Sequence, residues 1–177
     1  FSAVSNFTQE AMAEVLEDRQ WCSRYMSENA RLVGRTYRKV VAALRDAGVP
    51  TMPADAGMYV WVDLRAALPH VGSPSSAPAS DGLASTEVYK QSVDAAGVPW
   101  EAETQLCETL FKKHRVLLTP GRACCSALAG FFRICITWMD EAGTLEGVKR
   151  IAQLYAVGRS GAAHDSHGDT TLSTERF

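Results

Sequence analysis

The sequence has no apolar run approaching the roughly 20 residues that a membrane-spanning helix needs. Nor does a basic stretch followed by an apolar one stand at its N-terminus, so no secretory signal is read there. Charge of one sign is missing too: 18 basic residues face 20 acidic ones, which leaves no electrostatic footing for nucleic acid or an anionic membrane surface. Cysteine is scarce and odd in number, five, with no C-x-x-C pair. These are read as reduced thiols in a cytoplasmic chain. Cys124 and Cys125 are adjacent, but no His or third Cys stands at ligand spacing, so no metal site is expected. The common catalytic signatures are absent: no G-x-G-x-x-G, no G-x-x-x-x-G-K-[ST], no G-x-S-x-G and no H-E-x-x-H. Of the four histidines, His70, His164 and His167 lie in polar, small-residue stretches. His114 sits at a helix end, where the helix dipole accounts for it. No catalytic residue is assigned.

What remains is 177 residues, 46% of them hydrophobic, enough for one domain with a real core. The chain begins at Phe1 rather than Met and is read as a piece of something longer, or a processed product. Helical spacing appears first in "TQEAMAEVLED", with Thr8 as the expected N-cap and Ala11, Val15 and Leu16 on one face. A longer helix is expected over residues 24–47. Tyr25, Leu32, Val33, Tyr37, Val40, Val41 and Leu44 form its stripe, five basic residues lie mostly elsewhere, and Gly48 stops it. "GMYVWVDL", residues 57–64, reads as a strand covered on both faces.

Composition then changes. Residues 69–85 are Pro, Ser, Gly and Ala and read as a flexible surface insertion. "EAETQLCETLFKKH" returns to helical spacing, with Leu106, Leu110 and Phe111 as its stripe. A short strand, "RVLLTPG", runs into a Pro120-Gly121 turn, where glycine permits an unusual angle or a close approach. A strand "FFRICITW" and a helix over residues 144–157 complete the order, and residues 158–177 read as a disordered tail. Helices, strand, helix, two strands and helix make an α/β layer arrangement, a small sheet with helices packed on it, over residues 1–157.

Arg133 is the residue with a chemical question attached. Phe132, Ile134, Ile136 and Trp138 share one face of its strand; Phe131, Arg133, Cys135 and Thr137 share the other. A guanidinium keeps its charge at physiological pH. An unpaired buried charge costs several kcal/mol, so Arg133 requires an internal carboxylate, such as Asp63 or Asp140, or a ligand anion. Its planar fork suits a carboxylate held by two parallel hydrogen bonds.

Four stretches occur together and in order: "FSAVSNFTQ", "AGMYVWVDLR", "VLLTPGRA" and "GFFRICITWMDEAGTLEGVKRI". They resemble the C-terminal part of class I/II aminotransferases, fold-type I enzymes dependent on pyridoxal phosphate, most closely the 1-aminocyclopropane-1-carboxylate synthase branch. The likeness covers residues 1–68 and 101–155. It implies the C-terminal small domain of such an enzyme, with Arg133 binding the α-carboxylate of an amino acid substrate. It also implies pyridoxal phosphate as cofactor, bound mainly by residues before Phe1, and a homodimeric whole. Pro120-Gly121 and Gly57 would sit on loops near a domain interface. The chain departs from the pattern in places. Arg122 follows Pro120-Gly121 where the family has serine, and Thr137-Trp138 stand where Ala-Asn is usual. None of Lys39, Lys90, Lys112, Lys113 and Lys149 has the Ser-x-Ser-Lys context of the Schiff-base lysine. By itself the chain is expected to be inactive: part of an enzyme acting on an amino acid by transamination or elimination, a non-catalytic α/β module whose Arg133 grips a carboxylate, or a structural or regulatory relic with Arg133 paired internally.

Overall fold

The computed structural model describes residues 4–69 and 92–165, the last five by their backbone alone. The elements are α1 (Asn6–Glu17), α2 (Arg19–Asp46), β1 (Tyr59–Asp63), α3 (Trp100–Lys112), β2 (Thr119–Pro120), β3 (Phe131–Cys135) and α4 (Glu141–Asp165). Short helical turns occupy Arg65–Ala67 and Arg122–Cys124. The insertion expected at residues 69–85 falls almost wholly outside the described residues.

The strands form one antiparallel sheet in the order β1-β3-β2. Alternation along each strand sends Val60 and Val62 of β1, and Phe132 and Ile134 of β3, into the core. Val40 and Leu44 of α2, Leu106 and Leu110 of α3, and Val148, Ile151 and Tyr155 of α4 join them in one cluster. Burying a side chain such as Phe132, which has no exposed surface, contributes about 1.5–3 kcal/mol. The opposite sheet face is not covered as expected. Trp61 and Asp63 are only half-buried and Tyr59 is 42% exposed, because α2, α3 and α4 pack on the other face and no described helix covers this one.

Helix ends follow local chemistry. α2 starts at Arg19, earlier than its apolar stripe suggests, because the Asp18 carboxylate accepts the Trp21 N–H at 2.8 Å as an N-cap. It ends in a Schellman motif. Gly48, at φ 72°, donates to the Arg45 carbonyl at 2.9 Å, Val49 donates to that of Leu44 at 2.9 Å, and the Val49 and Leu44 side chains are both buried. Thr8 does not cap α1. The helix begins at Asn6 after Ser5, whose carbonyl accepts the Gln9 N–H, and no side chain caps it. No residue of α1 is buried, and of the expected α2 stripe Tyr25 and Leu32 are exposed.

Two further expectations change. Phe111 is 54% exposed, off the buried stripe of α3. Trp138 is 87% exposed because β3 ends at Cys135 and the chain bends before Glu141, so its alternation no longer applies. The last helix runs to Asp165, so the first eight residues of the expected disordered tail are helical. Gly158 makes this continuation possible: a Cβ there would lie 2.6 Å from the Ala67 Cα, so glycine lets α4 pass tightly over the Arg65–Ala67 turn.

Candidate functional site on the open sheet face

The face of the sheet turned away from the core carries Tyr59, Trp61 and Asp63 from β1, Phe131, Arg133 and Cys135 from β3, and Thr119 from β2. Trp61 and Thr119 stand on either side of Arg133 in register. The Arg133 Cζ lies 4.2 Å from the centre of the Tyr59 ring, and its Nη2 donates to the Thr119 hydroxyl at 3.4 Å. Its Nε is buried and makes no hydrogen bond. Among the described residues no carboxylate forms an ion pair with Arg133. The two acids that could have done so are engaged elsewhere. Asp63 is gripped by Arg65, with Nη2 to Oδ2 at 2.6 Å, and Asp140 accepts the Gly143 N–H at the start of α4 at 2.8 Å. A charge held by a ring face and one distant hydroxyl leaves its two-pronged donor edge without an anion.

Arg133 also borders a cleft of about 740 Å³ between residues 115–119, β3 and the first turns of α4. Thr119, Leu117, Trp138, Met139 and Arg150 are among its walls. Apolar walls with a few charged groups are the usual make-up of a small-molecule site.

The loop between β2 and β3 brings Arg133 to this position. Pro120 and Gly121 turn the chain, the Arg122–Cys124 turn follows, and Cys125 takes a left-handed conformation at φ 58°. Gly121 is required for close approach rather than for its angle. A Cβ there would lie 2.6 Å from the Phe131 carbonyl oxygen. Two buried acids tie the loop down. Glu103, 2% exposed, accepts the Arg122 N–H on Oε1 at 3.0 Å and the Gly130 N–H on Oε2 at 2.7 Å. Asp94 accepts the Ala129 N–H on Oδ2 and the Ala96 and Val98 N–H groups on Oδ1, each at 2.8 Å. Burial pushes the Glu103 carboxyl above its ordinary range, and the Arg122 and Gly130 amides offset this only in part. Burial, with Glu103 and Glu108 nearby, also raises the Cys107 thiol, which disfavours a reactive thiolate.

Sequence reasoning singled out Arg133 and missed Glu103 and Asp94. A signal for Glu103 was present: it lies three and seven residues before Leu106 and Leu110, so it is an acid on the buried stripe of its helix. For Asp94 the signal was the turn sequence Asp-Ala-Ala-Gly.

The described lysines do not fit the anchoring of an aldehyde cofactor. Lys39 is paired with Glu141, Lys112 with Glu108 and Lys149 with Glu146, all on the surface, and Lys113 is exposed. Lys90 lies outside the described residues.

A three-stranded antiparallel sheet, with helices on one face and a cation on the other, defines a small α/β domain. The chain belongs to the aminotransferase class I and II family, whose profile matches residues 1–151. That family is dependent on pyridoxal phosphate. Among curated relatives, a 1-aminocyclopropane-1-carboxylate synthase 5 of Oryza sativa subsp. japonica is 30% identical over 140 residues, covering 79% of this chain and 21% of its own length. A 1-aminocyclopropane-1-carboxylate synthase 4 from the same organism is 29% identical over 153 residues, covering 86% of this chain and 26% of its own length. Among solved structures, an aromatic aminotransferase from Pyrococcus horikoshii superposes with a TM-score of 0.59 at 20% identity, over 85% of this chain and 31% of that one, a likeness of fold. The chain spans about a quarter of the length of the curated relatives it matches. Among the described residues no helix is long and apolar enough to cross a membrane.

Proposed function

We propose that this chain is the C-terminal part of a pyridoxal phosphate-dependent enzyme that acts on an amino acid, and that Arg133 binds the substrate's α-carboxylate. One observation carries the reading: a half-buried guanidinium beside a cleft, with no internal anion among the described residues. Its fork supplies two parallel donors, and a carboxylate held by both is fixed in orientation as well as in place. Tyr59 stacks on the guanidinium and holds its plane. The aminotransferase family and the synthase relatives support an amino acid as the substrate class, with transaminase or synthase chemistry as the alternatives. In this reading the cofactor's anchor and the catalytic lysine belong to other parts of the protein, and the chain alone is inactive. The whole enzyme is a homodimer. All five cysteines are free, which supports work in a reducing compartment such as the cytoplasm.

Arg133→Lys tests the assignment in the protein that carries this chain. A lysine keeps the charge but loses the fork, so KM for amino acid substrates rises about tenfold or more. An unchanged KM refutes the role. The chain alone, mixed with pyridoxal phosphate, gives no stoichiometric absorbance band dependent on a lysine. Such a band would instead place the cofactor's anchor within these residues.

The surface lysines favour a second reading, a module that grips a carboxylate without chemistry. It is supported if the chain alone binds an amino acid and Arg133→Lys abolishes that binding.

A further inference from the structure

We infer that Glu103 is a positioning residue for the Arg133 site: its buried carboxylate staples together the two ends of the loop between β2 and β3 and so decides which residue stands opposite Arg133. This rests on the reading of Arg133 given above.

The need for such a staple follows from how little sheet there is. β2 has two residues, paired as Thr119 with Arg133 and Pro120 with Phe132. Proline has no N–H to give to the ladder. A strand that short cannot by itself define its register, and a slip of one residue would turn the facing side chain to the other side of the sheet. Glu103 supplies the missing constraint from α3. Its Oε1 takes the Arg122 N–H, two residues after β2 ends, and its Oε2 takes the Gly130 N–H, one residue before β3 begins. The two ends of the loop are thereby held on one carboxylate. Gly121 leaves room for it, since a Cβ there would lie 3.4 Å from Oε2. Asp94 adds a separate tie at Ala129, and its other oxygen serves its own turn at Ala96 and Val98. A buried carboxylate is costly unless hydrogen-bonded, and here both oxygens are used on the one loop that delivers Arg133.

Glu103→Gln in the protein that carries this chain tests the inference. Glutamine keeps the size but puts an NH2 against a backbone N–H, so one of the two ties is lost. Hydrogen bonds to charged groups are among the stronger ones, so KM for amino acid substrates rises about tenfold while kcat stays within about twofold. Hydrogen exchange of whichever of the Arg122 and Gly130 amides then faces the NH2 speeds up about tenfold to a hundredfold, while that of Ala96 and Val98 does not. General loosening of the fold would move all four amides, and kcat with KM. Should the glutamine variant not fold, Glu103→Asp carries the test. It keeps both acceptors but withdraws them by one methylene, and KM rises about fivefold with kcat held. Unchanged KM and amide exchange in the variant that folds overturn the role of Glu103, provided Arg133→Lys still raises KM. If Arg133→Lys leaves KM unchanged, the substrate reading itself falls, and with it the site that Glu103 was to position.

Discussion

Thr119 stands directly opposite Arg133 across the β2–β3 pair, and its hydroxyl is the acceptor for the guanidinium Nη2, at 3.4 Å. That is long for a hydrogen bond to a charged donor, so the contact steers the side chain while leaving it free for a stronger acceptor. In the role proposed for Arg133, an incoming carboxylate supplies that acceptor. Thr119→Val keeps the shape of the residue and removes the oxygen. The expected outcome is a rise of about two- to fivefold in KM for amino acid substrates with kcat unchanged, measured by steady-state kinetics on the protein that carries this chain. A fall in kcat at constant KM would place Thr119 in some other role.

Tyr59 meets the same guanidinium from its other side, with the ring centre 4.2 Å from Cζ. Tyr59→Leu preserves an apolar residue on β1 and removes the ring. A cation–π contact at a partly exposed site is worth about 0.5–1 kcal/mol, so the variant loses about that much substrate affinity, seen as a KM ratio of two to five. The loss should not add fully to that of Arg133→Lys, because the two changes share one contact.

Gly121 offers a stability test independent of substrate. A Cβ there would sit 2.6 Å from the Phe131 carbonyl and 3.0 Å from the Ser126 Cβ, against backbone that cannot rotate away. Gly121→Ala therefore destabilises by about 1–3 kcal/mol, as overpacking does. Its denaturant midpoint falls while the slope of the transition is kept. An alanine variant as stable as the parent would show that the loop has room the structure does not contain.

These sites differ in how far the amino-acid sequence foretells them. Arg133 was legible because strand alternation is strict: with Phe132 and Ile134 facing the core, the residue between them has to face away. Gly48 was legible because the Schellman motif demands a left-handed residue there. Burial is less readable, since periodicity reports a face and not what covers it. Val15, Leu16 and Tyr25 carry helical spacing yet lie exposed, and Trp138 keeps the alternation of a strand that has already ended. Glu103 was missed for the converse reason. An acid in a first helical turn is ordinarily explained by the helix dipole, and only the fold brings the distant Arg122 and Gly130 amides to it.

Asp18 caps the long helix α2 through its carboxylate on the Trp21 N–H. Asp18→Ala leaves that donor to water and costs about 1 kcal/mol. Because Gln20, Trp21 and their neighbours are mostly exposed, the effect stays local. Hydrogen exchange speeds up in the first turns of α2 and is unchanged near Val40 and Leu44. Faster exchange through the whole helix would mean that α2 unravels as one unit.

Two carboxyls give opposite slopes to stability against pH. At Asp63 burial acts to raise the carboxyl, but the side-chain and backbone hydrogen bonds from Arg65 and its charge prevail, and it lies below its ordinary value of 3.8. The unfolded chain then binds more protons than the native one just below 3.8, so this group adds stability as pH rises through that window and loses it as pH falls. At Glu103 burial raises the carboxyl above its ordinary 4.5. Asp94 pushes the same way, while the Arg122 and Gly130 amides and the Arg122 charge oppose it. Here the native state holds the extra proton, so the group's contribution is complete below 4.5 and declines as pH rises from 4.5 through the raised value. Urea titrations of the parent across this range should include that decline. In Glu103→Gln, which cannot ionise, the decline is absent, while the rise due to Asp63 persists at lower pH. If the parent and the glutamine variant keep the same slope above 4.5, the Glu103 carboxyl is not raised by its burial, and its two amide bonds outweigh the cost of taking the charge out of water.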